Sequence, residues 1–444
     1  MIRRLFIANR GEIALRVIRT AKAMGITTVL GVSSADAASL PALMADETML
    51  LGPGPSAQSY LSIDKVVAAM VAAKCDAVHP GYGFLSENAA FARAVAEAGI
   101  RFVGPDITTL EGMGDKLAAR ALALEAGLPV LPGGDAATRE AVHARAAEIG
   151  YPLLLKAVAG GGGKGMRRVD RAEDLDTVLD MAQAEAQAAF GNSAVYVERF
   201  VAKGRHVEVQ LLGDGTRAIH LGTRDCSIQR RFQKLVEEAP APAMPDEARA
   251  GIEEAAVRLA RHIGYRGAGT AEFLVDATDF SFYFLELNAR IQVEHPVTEA
   301  ITGVDLVEQQ LLVASGKRLT LTQAMVRPVG HAIEVRINAE DPDADFRPAP
   351  GRIARAAWPA GPGIRVDTHI AAGGEVPPFY DSLLGKLIVH APNREEAVAR
   401  LQAALASIRI EGVPTTAGLQ ARIAADPRFA AGGVDTGFLT GLAQ

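Results

Sequence analysis

Cysteine is nearly absent from the 444-residue chain: Cys75 and Cys226 are the only two, and they lie far apart. That argues against a disulfide scaffold or a zinc site and points to a reducing, cytoplasmic compartment. No apolar run approaches the ~18 residues needed to span a membrane. The start, Met1-Ile2-Arg3-Arg4-Leu5-Phe6, is too short an apolar run for a signal peptide. An excess of positive charge is missing too: 46 Lys and Arg against 52 Asp and Glu give a net charge of −6. A general grip on nucleic acid is therefore not expected. There is no internal repeat and no low-complexity tail. What remains is 49% hydrophobic and 22% charged, the composition of a soluble globular protein with room for about three domains.

Residues 3–8 read as a short buried strand, Asn9-Arg10-Gly11-Glu12 as a turn, Ile13 to Gly25 as a helix and Thr27 to Val32 as the next strand. This βαβ unit predicts a doubly wound parallel sheet at the amino terminus. Its loop lacks G-x-G-x-x-G, so no dinucleotide is expected. A second unit carries a strand at 75–78 and a glycine-rich loop, His79 to Asn88. Ligands of open α/β sheets gather at such carboxyl ends, so His79, Tyr82 and Glu87 either wall a site or merely pack a loop. Lys116 sits in the first turn of a helix running to about Ala126. There it is either a solvated lysine or, with the helix start, half of a phosphate site.

The segment Ala157 to Met166 holds four consecutive glycines, Gly160 to Gly163, then Lys164. Bare backbone N–H groups form an anion-binding concavity. Gly165 follows the lysine where a Walker A loop needs Ser or Thr, and strands read on both sides. The pattern predicts a lid over phosphates, not a P-loop cradle, and a lid that is mobile without nucleotide. Further on, Arg224 to Lys234 reads as a polar, strongly basic stretch whose charge the acids Glu237 and Glu238 are placed to neutralise.

The densest polar stretch is Glu286-Leu287-Asn288-Ala289-Arg290-Ile291-Gln292-Val293-Glu294-His295-Pro296, after an aromatic strand from Phe280. On an extended chain Glu286, Asn288, Arg290, Gln292 and Glu294 all face one way. Hard oxygen ligands on one face suit Mg²⁺; the row then reads as two metal ligands, an anion clamp, a positioner and a base. A hairpin with the strand Thr270 to Val275 brings Glu272 beside Glu286. Downstream, Gly330 to Pro342 alternates like a half-buried strand.

Together, Asn9-Arg10-Gly11-Glu12-Ile13-Ala14, His79 to Asn88, Lys156 with its glycine flap, Arg224 to Gln229, Gly267 to Thr270, Arg290 to Pro296 and Arg336 to Pro342 resemble biotin carboxylase over essentially the whole chain. The resemblance implies an α/β protein of three parts. Residues 1–112 form an amino-terminal doubly wound domain and 113–325 an ATP-grasp domain with a mobile glycine-rich lid at about 131–202. Residues 326–444 form a carboxyl-terminal α+β domain. It also implies MgATP-dependent carboxylation of biotin by bicarbonate through carboxyphosphate, the first half-reaction of an acetyl-CoA or other acyl-CoA carboxylase.

By matching position, Lys116, Lys156, His206, Gly162 and Gly163 would contact ATP, and Glu198, Arg199, Phe200 and Val201 would line the adenine. Tyr82, Gly83 and Gln229 belong to the same cofactor-binding set. Glu272, Glu286 and Asn288 would hold Mg²⁺ or Mn²⁺. Lys234, Arg290, Gln292 and the Val293 backbone would bind bicarbonate, Glu294 would deprotonate it, and Arg336 would stabilise the biotin enolate. Phe232 stands where members often carry a polar residue near the nucleotide. Ala23 and Pro362 replace an acid and an aromatic found at some bacterial dimer contacts, within an implied homodimer. The chain has no Ala-Met-Lys-Met motif, so biotin is expected on a biotin carboxyl carrier protein or domain, with a carboxyltransferase as the further partner. Another ATP-grasp ligase acting on bicarbonate or a carboxylate, and a nucleotide-binding pseudo-enzyme, are the competing readings.

Overall fold

A computed structural model describes residues 1–136, 138–158 and 165–442. The amino-terminal strands form one parallel sheet in the spatial order Glu47–Gly52, Thr27–Ser33, Arg4–Ile7, Ala77–His79, Arg101–Phe102. Leu5, Phe6, Ile7, Val29 and Val78 are all buried, because helices cover both faces. This is the doubly wound sheet expected from the βαβ pattern. Its strand order reverses at Arg4–Ile7, and the loops after Ile7 and His79 meet at that switch point. Gly81 is required there: its φ is +64°, and a Cβ would come within 2.8 Å of Asn9 Nδ2.

The second sheet has eight strands in the order Phe282–Asn288, Arg266–Asp276, Gly204–Asp214, Ala218–Arg230, Gln233–Ala239, His331–Asn338, Leu383–Ala391, Ile364–Thr368. Every pairing in it is antiparallel. The helix Asp246–His262 lays Ile252, Ala256 and Leu259 on the apolar face of its first half, against Val209, Leu211 and Phe273. A separate four-stranded sheet, Gly133–Ala136, Val195–Arg199, Leu153–Ala157 and Met166–Val169, is backed by helices Arg139–Ile149 and Leu175–Phe190. The glycine run of the expected lid, Gly160 to Gly163, lies outside the described residues. The strands flanking it pair antiparallel, as the sequence predicts. Among the described residues, no helix is long and apolar enough to cross a membrane.

Three local readings change, and the helix opened by Lys116 stands as expected. The basic stretch Arg224 to Lys234 is a β-hairpin in mid-sheet, and Arg224 is fully buried. Its charge is met by Glu208 on the neighbouring strand at 2.5 Å, not by the acids that follow it in sequence. The strand His331–Asn338 is buried on both faces, between helices Arg394–Ser407 and His295–Thr302. The alternation there separates Ile333, Val335 and Ile337 on one face from Arg336 and the buried Glu334 on the other. Lys116 opens a helix, Lys116–Glu125, but a second helix, Ile107–Gly114, precedes it. The break falls at Asp115, whose carboxylate accepts from the N–H groups of Leu117 and Ala118. Finally, the extended chain stops at Asn288, and Glu294 precedes the helix His295–Thr302.

Candidate active site

Between the sheets lies a cleft of about 1140 Å³. The hairpin register puts Glu272 opposite Glu286 and Thr270 opposite Asn288, the pairing anticipated from the sequence. On the other side of the same strand Glu208 lies opposite Glu272. Three carboxylates thus stand in a row across three strands, an arrangement that repels itself unless cations intervene.

Lys234 supplies the first cation. Its Nζ lies 2.6 Å from Glu208 Oε2, 2.9 Å from Glu272 Oε1 and 2.7 Å from Glu294 Oε1. Burial works against the ammonium charge, but the three carboxylates hold its pKa well above the ordinary lysine value. His206 Nε2 approaches Glu272 Oε2 to 2.9 Å, out of line for a hydrogen bond. Burial opposes its protonation, and Glu272 outweighs that, raising the imidazole pKa.

After Asn288 the side chains do not share a face by alternation, because the chain turns. They converge through hydrogen bonds instead. Arg290 donates to Asn288 Oδ1 at 2.9 Å, to Gln292 Oε1 at 2.9 Å and to Glu87 Oε2 at 2.8 Å. Gln292 in turn donates to Glu272 Oε1 at 3.1 Å. Glu294 ends up fully buried, with Lys234 on one oxygen and Arg336 on the other at 3.0 Å. Desolvation opposes its charge, but Lys234 and Arg336, with Arg224 behind them, hold it well below the usual carboxylate range. A permanently anionic carboxylate between two donors is a proton acceptor already in its working state. Arg336 is itself fixed by Glu237, through Nε at 2.7 Å.

Of the remaining expected residues, Tyr82, Gly83, Lys116, Lys156, Glu198, His206, Gln229, Gln292 and Val293 line the cleft, as does Phe232. Lys156 is ion-paired to Glu198, and the Tyr82 hydroxyl donates to Glu12. Arg199, Phe200 and Val201 are not on the wall. Arg199 points opposite to Glu198 because strand residues alternate, and Phe200 is covered by the Arg168 guanidinium, 4.3 Å from its ring centre. Gly162 and Gly163 lie outside the described residues. His79 is a loop-packing residue and no site wall: it is fully buried, accepts from Gly81 N at 3.0 Å and faces Gln310 at 3.2 Å. Glu87 does reach the site, through Arg290 and the Ala289 N–H at 3.0 Å. Glu208 was missed, and Glu237, expected to neutralise the basic stretch, instead holds Arg336. The alternation His206-Val207-Glu208 was a usable signal, since it puts an imidazole and a carboxylate on one strand face.

The family description "Biotin carboxylase, N-terminal domain" matches residues 1–110, "Carbamoyl-phosphate synthase L chain, ATP binding domain" matches 115–322, and "Biotin carboxylase C-terminal domain" matches 334–441. A biotin carboxylase of Nostoc sp. is 50% identical over 439 residues, covering 98% of each chain. The chain belongs to the biotin carboxylase family. The ATP-grasp fold and an ATP-dependent carboxylating ligase activity come with that membership. The biotin carboxylase of Campylobacter jejuni, solved as a β,γ-ATP complex, superposes with a TM-score of 0.94 at 44% identity, covering 99% of both chains. The biotin carboxylase domain dimer of Hydrogenobacter thermophilus 2-oxoglutarate carboxylase, solved with MgADP, ADP and bicarbonate, gives a TM-score of 0.93 at 45% identity, covering 99% of this chain and 97% of that one.

Within this biotin carboxylase fold, Glu272, Glu286 and Asn288 could hold a divalent ion. All three offer hard oxygens on paired strands, and the Glu286 side chain opens into the cleft. Desolvation and the neighbouring Glu272 raise the Glu286 pKa. That unmet repulsion is what a divalent cation relieves, so the residues present fit the group.

Proposed function

We propose that the protein catalyses MgATP-dependent carboxylation, by bicarbonate, of biotin carried on a biotin carboxyl carrier protein or domain, with release of ADP and phosphate. The observation that carries the proposal is Glu294, buried and anionic, held between Lys234 and Arg336, which both line a nucleotide-sized cleft. Bicarbonate needs a positioned base to become a nucleophile at neutral pH, and Glu294 takes its proton. Lys234, Arg290, Gln292 and the Val293 backbone hold the anion. Lys116, Lys156, His206, Glu198, Gln229 and the Gly162–Gly163 backbone engage ATP, with Tyr82 and Gly83 at the rim.

Mg²⁺ or Mn²⁺ on Glu272, Glu286 and Asn288 would neutralise phosphate charge. Phosphoryl transfer depends mostly on positioning and charge neutralisation, which these cations supply. Arg336, fixed by Glu237, offers its guanidinium to the ureido oxygen of biotin, where negative charge develops when the ring nitrogen is deprotonated.

The three-part division at 1–112, 113–325 and 326–444, a homodimeric assembly, a carboxyltransferase partner and a cytoplasmic location complete the proposal. The two buried free cysteines and the dimeric relative support the last of these and the dimer, respectively. The test is ADP release from the purified protein. Dependence on bicarbonate and stimulation by free biotin are expected; ADP release driven by another carboxylate or by ammonia, and indifferent to biotin, would refute it.

A further inference from the structure

Lys386 lies in the strand Leu383–Ala391, directly across from Arg336. Facing residues of an antiparallel pair project to the same side. Arg336 reaches the carboxylate of Glu294 at 3.0 Å, and Lys386 Nζ donates to the carbonyl of Val293 at 2.7 Å. Two neighbouring cations therefore grip two consecutive residues of the segment that presents the base.

Lys386 is fully buried and also pairs with Glu12 Oε1 at 3.1 Å. Glu12 sits in the first turn of the helix Gly11–Ala23 and accepts from the Tyr82 hydroxyl. One cation thus joins the turn before Glu294 to the glycine-rich loop on the cleft rim, across three distant stretches of chain. Stability alone does not account for it, because a buried ion pair is often no better than apolar packing of the same volume. The surroundings are expensive as well. Among the described residues, neither oxygen of the fully buried Glu334 finds a hydrogen-bond donor, nor does Glu12 Oε2. Burial pushes Glu334 well above the ordinary carboxylate range, with Lys386 only partly opposing it.

We propose that Lys386 is a positioning residue for the carboxylation step: its bond to the Val293 carbonyl sets where the Glu294 carboxylate and the Val293 backbone stand, and Glu12 and Tyr82 tie that setting to the rim loop. This rests on the reading of the cleft as a bicarbonate site. Lys386 itself touches no substrate position.

The test compares steady-state ADP release by the full-length enzyme and its variants. Lys386→Met combined with Glu12→Gln removes both charges of the pair, so neither partner is left without the other. Its kcat for bicarbonate-dependent ADP release should fall by about tenfold or more, with the KM for ATP within about twofold of wild type. Lys386→Arg keeps the charge but replaces a compact ammonium by a larger planar head. It should raise the KM for bicarbonate by about fivefold with the ATP KM again unmoved. A merely structural lysine would move both KM values together, or neither. A folded double variant with unchanged kcat overturns the proposal, and so does an unchanged bicarbonate KM in Lys386→Arg, whether or not the double variant folds. A wild-type enzyme with no bicarbonate-dependent turnover overturns the proposed function itself. An active wild type with indifferent variants overturns only the role of Lys386.

Discussion

Lys234 on the cleft wall and the buried Glu294 behind it face each other at 2.7 Å, with the same ammonium also bonding Glu208 and Glu272. As the proposed base, Glu294 is therefore ionised before substrate arrives, and its basicity is limited by the charge that keeps it so. Glu294→Gln keeps the shape and removes the proton acceptor. Bicarbonate-dependent ADP release should fall by about 10²–10⁴-fold, the usual contribution of a positioned general base. Single-turnover kinetics with wild-type ATP binding would confirm that the loss lies in chemistry.

Arg336 serves two masters, Glu237 and Glu294. In Arg336→Ala, biotin carboxylation should slow by about 10²–10³-fold, as when an oxyanion donor is removed. Bicarbonate-dependent ATP cleavage should slow far less. Parallel assays of carboxybiotin and ADP report the two rates; equal losses would count against an enolate role.

Glu286 is open to the cleft and beside Glu272. Glu286→Gln should raise the Mg²⁺ concentration needed for half-maximal activity by about tenfold, and chelation by EDTA should abolish turnover reversibly. Magnesium titration of ADP release checks both.

Glu208 answers Arg224 at 2.5 Å and Lys234 at 2.6 Å, and all three side chains are buried or nearly so. Glu208→Ala strands the buried Arg224, while Lys234 keeps Glu272 and Glu294; breaking a buried ion pair costs about 3–5 kcal/mol in comparable cases. A lower urea midpoint, in the absence of nucleotide, is the expected reading.

His79 gives a pH dependence. Burial, aided by Arg16 and only partly opposed by Gln310, lowers its pKa from 6.5 to about 4. Its Nδ1 accepts from Gly81 N–H, so protonation there breaks the bond that shapes the rim loop. Between these two pH values the unfolded chain binds a proton that the folded chain refuses. Stability therefore falls as pH drops through that window, by about 1.4 kcal/mol per pH unit for this group alone. His79→Asn supplies an acceptor that does not titrate, so its melting temperature should fall less steeply over the same window. Thermal melts at matched ionic strength would show it.

Local pattern carried much of this architecture. The βαβ opening, the Glu272–Glu286 pairing and the strands around the glycine run were all readable, because period-two alternation and turn residues fix them within a few positions of the chain. The partners of Glu237 and Lys386 were not. Each of these two residues sits in mid-strand, and its meaning comes only from what the adjacent strands place against it. Alternation also gave a right set for a wrong reason: Arg290, Gln292 and Glu294 converge through a hydrogen-bonded turn, not along an extended strand. Arg224 misled for the converse reason, since a basic run looks solvated until its acids appear from sixteen residues upstream.

The strands Gln233–Ala239 and His331–Asn338 pair from Val236↔Val335 to Ala239↔Ala332, so the large sheet runs without a seam from Phe282–Asn288 to Ile364–Thr368. Lys234 and Glu237 hang from one of these strands and Arg336 from the other. A hinge between the two halves would have to tear backbone bonds, so the span from metal-side acids to Arg336 works as a fixed gauge. Severing the polypeptide there would leave a raw β edge on each fragment, and self-adhesion of those edges, not two working pieces, is the foreseeable result.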